Sequence, residues 1–170
     1  MRACILPGSL NLTITVDNVG DVFHNGEIVF SNDAWTDSHT VRLFEPCVLA
    51  IRGEDFGVIA GILASTSTGV VTDESWKCSG SLEAGWDLTG FNDSHWEDAR
   101  ITGVNGDAPW GLFADIDPSA KWIWSSGEND TVAYCRKEIC VDGPWTGVCV
   151  CAFVSFVQFL ASTLSLPRDA

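Results

Sequence analysis

Short runs of alternating apolar and polar residues recur along this chain, and they constrain its fold more than any other feature. The first run, LNLTITV at residues 10–16, places its leucines, isoleucine and final valine on one face. This period-two pattern is typical of a strand with one buried side. Such runs recur at roughly ten-residue spacing with no long amphipathic helix among them, which indicates an all-β sandwich.

Turn-forming residues separate the runs and set their limits. Asn25-Gly26 is a strong signal for a two-residue hairpin. Gly61, inside an apolar run, marks a bulge or a close approach of another segment. The stretch at 85–106 is acidic, rich in Trp and dominated by turn chemistry. Strands are predicted at 10–16, 21–24, 27–30, 41–44, 47–51, 58–65, 69–72, 75–78, 121–124 and 131–141.

The composition changes after Val141. From Gly143 to Pro167 the chain has no charged residue, and GVCVCAFVSFVQFLASTLSL is long enough to span a bilayer. Three interpretations of this hydrophobic C-terminal tail stay open: a membrane or processed anchor, an extra strand or helix packed on the domain, and an error in the gene model. The predicted organisation is an N-terminal segment at 1–9, a sandwich at 10–141 and the tail at 142–170.

Charge restricts the class of partner. The net charge is −14 and the isoelectric point is near 4.2. Nucleic acid is excluded as an expected partner because phosphate binding needs a basic face. Charge-driven binding to an anionic membrane surface is excluded for the same reason. An acidic surface suits solubility, cation binding or neutral ligands such as sugars.

Cysteine usage and glycosylation sequons favour an oxidising compartment. The chain has seven Cys but no C-x-x-C pair, so the signal for a zinc site is weak. Sequons of the form N-x-S/T lie at Asn11, Asn92 and Asn129. The start, MRACILPGSL, shows no signal peptide. Either a leader is missing or the protein is cytosolic, and we favour the first, which predicts an extracellular or cell-surface location.

A series of motifs resembles one known family. The segments VDNVGDVFHNGE, NDAWTDSHTVRL, CVLAIRG and GVIAGI are followed by VTDESWKCS, GWDLTGFNDSHWEDA, APWG and KWIWS…TVAYCRKEI. Together they resemble the galactose-binding-like jelly-roll modules attached to rhamnosidase-type glycoside hydrolases and found in invertebrate extracellular proteins. The resemblance covers residues 10–141. Two departures stand out: little precedes Leu10, and FEPC replaces the Gly-Glu-Asn turn that the family carries.

The resemblance implies a disulfide and two roles for tryptophan. It places Cys78 and Cys135 on neighbouring strands, so a bridge between them is expected. Tryptophans in such modules either plug gaps in the sandwich or stack on sugar rings. Strand-like positions favour the structural role for Trp76, Trp96, Trp122 and Trp124. Such modules also often hold a structural calcium in loops rich in Asp. No EF-hand spacing is present and turn formation explains most of the Asp residues here, so no cofactor is expected and a structural calcium stays open as an alternative.

These observations favour a non-catalytic, lectin-like carbohydrate-binding module. The candidate ligand contacts lie in loops rich in Gly, Asp and Asn: Trp35, Trp86 and Trp110 for stacking, with Asp33 and Asp93 for hydroxyl recognition. The same tryptophans have structural plugging as an open alternative. No nucleophile elbow, P-loop or zinc-protease motif is present, so no enzyme activity is expected. The alternatives are an adhesion module that contacts extracellular proteins and an accessory fragment of a larger glycoside hydrolase.

Overall fold

The structure is a computed structural model that describes residues 8–127 and 129–139. Within these ranges it contains eleven β-strands and no helix. The strands are β1 (Ser9–Asp17), β2 (Val19–His24), β3 (Glu27–Asn32), β4 (His39–Phe44), β5 (Val48–Glu54), β6 (Gly61–Thr66), β7 (Lys77–Ser79), β8 (Glu97–Asp98), β9 (Arg100–Val104), β10 (Lys121–Trp124) and β11 (Val132–Glu138).

Two antiparallel sheets form a β-sandwich, which confirms the predicted all-β class. The five-stranded sheet has the order β4-β1-β6-β10-β9, and the six-stranded sheet has the order β3-β2-β5-β11-β7-β8. The apolar residues of the first predicted strand lie on its inner face, where Leu12, Ile14 and Val16 are buried. They pack with Ile51 and Cys135 of the other sheet. The alternation seen in the sequence therefore fills the space between the sheets.

Each sheet also carries a small apolar cluster on its outer face, built around tryptophans. The segment 105–120 covers the outer face of the five-stranded sheet, where Trp110 stacks on Trp122 with ring centroids 4.3 Å apart. The segment 80–96 covers part of the six-stranded sheet, where Trp86 and Trp96 pack on Val48 and Ala50. These long loops are thereby fixed to the sandwich by aromatic burial.

Glycines make room for the tryptophans of β10. A Cβ atom on Gly61 would lie 2.6 Å from the Trp122 ring, and one on Gly53 would lie 2.5 Å from the Trp124 ring. Gly61 therefore marks the close approach that its position in an apolar run predicts. Trp76, Trp96, Trp122 and Trp124 are all buried, in agreement with the structural role expected for them.

Three local predictions differ from the structure. The stretch 85–106 contains β8 and β9, although its many turn-forming residues predicted no strand there. The strand predicted at 58–65 begins only at Gly61, because Val58 and Ile59 lie in an exposed loop. The strand predicted at 69–72 is reduced to a single bridge between Ser65 and Val71. The last two strands were predicted from apolar composition alone, and composition does not show whether a segment is buried or exposed.

The predicted disulfide is confirmed. Cys78 on β7 stands opposite Cys135 on β11, and their Sγ atoms are bonded at 2.07 Å. The bridge lies in the core between the sheets. The hydrophobic tail at 142–170 lies outside the described residues, as does most of the segment at 1–9. Within the described residues no helix is long and apolar enough to cross a membrane.

Candidate functional site

A row of polar side chains crosses the outer face of the six-stranded sheet. The strand register places Asp21 of β2 opposite both Ser31 of β3 and Arg52 of β5. Arg52 in turn stands opposite Tyr134 of β11, which stands opposite Ser79 of β7. The neighbours of these residues along β2, β5 and β11 point into the core. Alternation therefore turns all five side chains, here called the polar row, to the outer face.

Arg52 is the centre of the polar row. Its Nη1 donates a 3.1 Å hydrogen bond to Asp21 Oδ2, and its Nη2 donates to Glu54 Oε2. Ser31 Oγ donates a 2.6 Å hydrogen bond to the other oxygen of Asp21. Burial acts to lower the pKa of Arg52, but the hydrogen bonds to Glu54, Tyr134 and Asp21, together with the charge of Glu54, outweigh burial and raise the pKa above its ordinary value. The guanidinium is therefore a fixed cation with two carboxylate partners.

Aromatic rings form a wall along one side of the polar row. The ring of Trp86 makes an edge contact with Tyr134 at 5.2 Å and another with Phe23 at 5.2 Å. Trp86 is buried, whereas Phe23 and Tyr134 are half-buried. The buried indole thus supports two rings that reach the surface beside Asp21 and Arg52. An apolar surface next to fixed donors and acceptors is the usual composition of a small-molecule site.

The five ligand contacts predicted from the sequence fall on opposite faces of the sandwich. Trp35 is half-buried and packs against the cluster of Trp110 on the five-stranded sheet. Asp33 is exposed on the same β3–β4 loop. Trp86 and Asp93 belong instead to the segment 80–96 on the six-stranded sheet. The structure therefore brings these residues together in two groups rather than in one site.

Burial assigns three of these residues a structural contact. Trp110 is 7% exposed, and its Nε1 donates a 2.7 Å hydrogen bond to Asp17 Oδ2. Trp86 is 3% exposed and lies against Trp96. Asp93 forms an ion pair with Arg136, whose side chain is fully buried. Trp86 and Trp110 are therefore both buried in packing contacts with the rest of the sandwich.

The three sequon asparagines and the acidic loops were singled out for glycosylation and for calcium, respectively. Asn11, Asn92 and Asn129 are all exposed, so each is accessible for the predicted glycosylation. Among residues 8–127 and 129–139, no group of three or more His, Cys, Asp or Glu side chains is arranged to hold a metal ion. The acidic loops in this part of the chain therefore give no support to a calcium site.

A second surface feature lies at the β9 edge of the five-stranded sheet. A groove of about 380 Å³ runs between the β5–β6 loop and β9, lined by Val58, Ile59, Ala60, Arg100, Ile101 and Thr102. Val58 is 97% exposed, and Ile59 and Ile101 are also exposed. We call this surface the apolar patch. Arg100 and Thr102 supply its hydrogen-bonding side-chain groups, beside the three exposed aliphatic side chains.

Sequence reasoning missed the polar row because no motif marks it. Asp21, Arg52 and Tyr134 are single polar residues between core residues on separate strands, which is ordinary for an outward position. Only the register brings them into line. The available signal was that alternation turns all three outwards on strands that pair with one another.

Comparison with protein-family models, curated proteins and solved structures finds no match.

Proposed function

We propose that this protein is a non-catalytic carbohydrate-binding module and that the polar row is its glycan site. The observation that carries the proposal is the alignment of Ser31, Asp21, Arg52 and Tyr134 across adjacent strands beside an aromatic wall. A sugar presents neighbouring hydroxyl groups that both donate and accept, together with an apolar face. Fixed carboxylates and a guanidinium fork match the hydroxyls, and the exposed parts of Phe23 and Tyr134 match the apolar face.

The charge of the chain favours a neutral sugar. The net charge is −14, and Asp21 and Glu54 stand on either side of Arg52. An anionic sugar would meet this surrounding field as well as the two carboxylates. A neutral pyranoside avoids both costs while it still accepts hydrogen bonds from Arg52 and donates them to the carboxylates. The expected ligand is therefore a neutral glycan.

The resemblance supports this proposal. We propose that the sandwich is a galactose-binding-like jelly roll and that it acts at the cell surface or outside the cell. A disulfide between Cys78 and Cys135 is compatible with such a location. In this module the segment 80–96 supports the site through Trp86 instead of stacking on the sugar directly. Asp21 of the row and the neighbouring Glu54 share one guanidinium partner, Arg52, so fixed donors and acceptors lie side by side.

A glycan array followed by calorimetric titration tests the proposal, with galactose and rhamnose as the first monosaccharides. We expect Arg52→Lys to weaken binding at least tenfold, because the ammonium cannot replace the guanidinium fork. The matched control is Arg42→Lys on β4 of the other sheet, where Arg42 contacts Ser9. Equal binding by the wild type and both variants contradicts the assignment of the row. No binding to any glycan contradicts the function itself.

One observation favours a second function, an adhesion module that contacts extracellular proteins. The apolar patch exposes Val58 and Ile59 beside an edge strand. Contiguous exposed apolar surface of this kind marks interaction sites. The patch and the polar row lie on different sheets, so protein contact and glycan binding are compatible.

A further inference from the structure

The segment 80–96 forms a border along one side of the polar row. Two residues beyond the row on β5 and β11, the outward positions are Ala50 and Arg136, which stand opposite each other. Both are 0% exposed, and Arg136 donates a hydrogen bond to the carbonyl of Leu88 in this segment. A ligand on the polar row therefore meets protein if it continues along the strands in this direction.

The strands themselves end close to the other side of the polar row. Val19 is the first residue of β2, Glu54 is the last of β5 and Val132 is the first of β11, and the register aligns all three. These residues are half-buried and lie two positions from the row. Since a strand rises roughly 3.4 Å per residue, the two rows are only about 7 Å apart along the strands.

Across the strands the same surface is longer. From Ser31 on β3 to Tyr134 on β11, the polar row crosses the consecutive strands β3, β2, β5 and β11. At the usual spacing of roughly 4.8 Å between strands, the row extends about 14 Å. Ser31 is exposed and β3 is the edge strand of its sheet, so the row reaches the side of the domain at that end.

Hydrogen-bonding groups recur along this length. The hydroxyl of Ser31, the carboxylate of Asp21 and the guanidinium of Arg52 follow one another on adjacent strands. A single sugar ring placed on Arg52 reaches the neighbouring strands but not β3. A linear chain of sugars presents hydroxyl groups repeatedly along its length, and it can therefore use every group of the row.

Apolar side chains accompany the polar groups on both sides. Val19 and Val132 lie on the side where the strands end, whereas Phe23 and Tyr134 lie next to the segment 80–96. All four are half-buried, so part of each side chain is accessible. Each ring of a sugar chain has apolar C–H groups as well as hydroxyls, and such side chains can contact the C–H groups while the row binds the hydroxyls.

From this shape and chemistry we infer that the ligand of the polar row is a linear, neutral oligosaccharide that lies perpendicular to the strands, across β11, β5, β2 and β3. The inference rests on the proposed glycan-binding function and adds to it the length and the direction of the ligand.

Calorimetric titration of the full-length protein with linear galactan and rhamnan oligosaccharides, from the monosaccharide to the pentasaccharide, tests the length. We expect affinity to rise at least about tenfold between the monosaccharide and the tetrasaccharide of the sugar that binds. A monosaccharide that binds as tightly as the longer chains, or no binding by either series, overturns the inference. The proposed function survives both results if another glycan of the array binds, and it fails only if none does.

Ser31→Ala distinguishes a direct contact at the far end of the row from an indirect effect. We expect a loss of roughly threefold to tenfold in tetrasaccharide affinity, the effect of one hydrogen bond, and no change for the monosaccharide. If Ser31 served only to orient Asp21, both affinities would fall by the same factor, and the inference would be overturned. The matched control is Ser9→Ala on the other sheet, because Ser9 likewise bonds a charged side chain, that of Arg42.

A tetrasaccharide with a nitroxide spin label at its reducing end tests the direction. In ¹⁵N-labelled protein we expect the strongest broadening of amide signals at one end of the polar row, near Ser31 or near Tyr134. Strongest broadening at Asn18 and Asp55, beyond the strand ends, or within the segment 80–96, would place the chain along the strands and overturn the inference.

Discussion

The indole of Trp110 donates a 2.7 Å hydrogen bond to the carboxylate of Asp17, 93 residues away in the chain. Asp17 ends β1 and is 6% exposed. Burial raises the pKa of Asp17 above its ordinary value of 3.8; the Trp110 hydrogen bond opposes this, and the charge of Asp55 adds to it. The hydrogen bond fixes the segment 105–120 to the five-stranded sheet. It also requires the carboxylate of Asp17 to be buried beneath that segment, and burial of a charge is unfavourable.

Asp17 predicts a specific dependence of stability on pH. Because its folded-state pKa is raised, the folded protein holds this proton more tightly than the unfolded chain does. Its contribution to stability is present below pH 3.8 and is lost as the pH rises through the raised value. We expect Asp17→Asn to remove this loss, so that the variant gains stability relative to the wild type over that range. Denaturant unfolding at a series of pH values measures the difference.

Two variants control this prediction. Asp37→Asn changes an exposed acid on the β3–β4 loop and should keep the wild-type profile. Trp110→Phe removes the indole N–H that donates to the buried Asp17 carboxylate. This loss should lower the free energy of unfolding by about 2–3 kcal/mol at neutral pH. A parallel pH profile for the wild type and Asp17→Asn would show that Asp17 does not titrate differently in the folded state.

The Cys78–Cys135 bridge closes a loop with a sequence separation of 57 residues. In the chain-entropy treatment, a loop of this length contributes about 4 kcal/mol to the free energy of unfolding. We expect the double variant Cys78→Ala, Cys135→Ala to lose about that amount in denaturant unfolding. Substitution is preferable to a reductant because Cys47 is also disulfide-bonded. A loss below about 1 kcal/mol would contradict a stabilising role for the bridge.

Asp93 is predicted to stabilise the segment 80–96 through Arg136. The Arg136 side chain is fully buried, where it pairs with Asp93 and donates a 3.3 Å hydrogen bond to the Leu88 carbonyl. Asp93→Asn leaves this buried cation without its counter-charge, which should cost about 2–3 kcal/mol. Asp98→Asn, which breaks an exposed pair with Lys77, should cost under about 1 kcal/mol. Equal effects in thermal unfolding would contradict the prediction.

Much of the fold was predictable because alternation is local. The alternation in residues 10–16 predicts which face of β1 is buried. Asn25-Gly26 adopts the positive φ angles that its hairpin turn requires. The exposed loop with Val58 was not predictable, because an apolar run reads as a buried strand unless its surroundings are known. The strands β8 and β9 were not predicted because β8 consists of two acidic residues and β9 contains a glycine, and neither residue type favours a strand.

The candidate site was less predictable than the fold. Trp86 and Trp110 stood out by residue type, yet a tryptophan in a loop serves equally well to fix that loop to a sheet. Whether its ring faces solvent depends on tertiary packing. Asp21, Arg52 and Tyr134 carry no local signal, since they come together only through pairings between β2, β5 and β11. An alternating pattern predicts which residues of one strand face outwards, but the site depends on which strands pair and in what register.

Amide chemical-shift mapping of ¹⁵N-labelled protein, titrated with the glycan that binds most tightly on the array, tests directly whether the polar row is the glycan site. We expect saturable shifts concentrated at Asp21, Arg52 and Tyr134, with their strand neighbours, and the loss of these shifts in Arg52→Lys. Shifts concentrated instead at Asp33, Trp35 and Trp110 on the opposite face would contradict the assignment of the polar row as the glycan site.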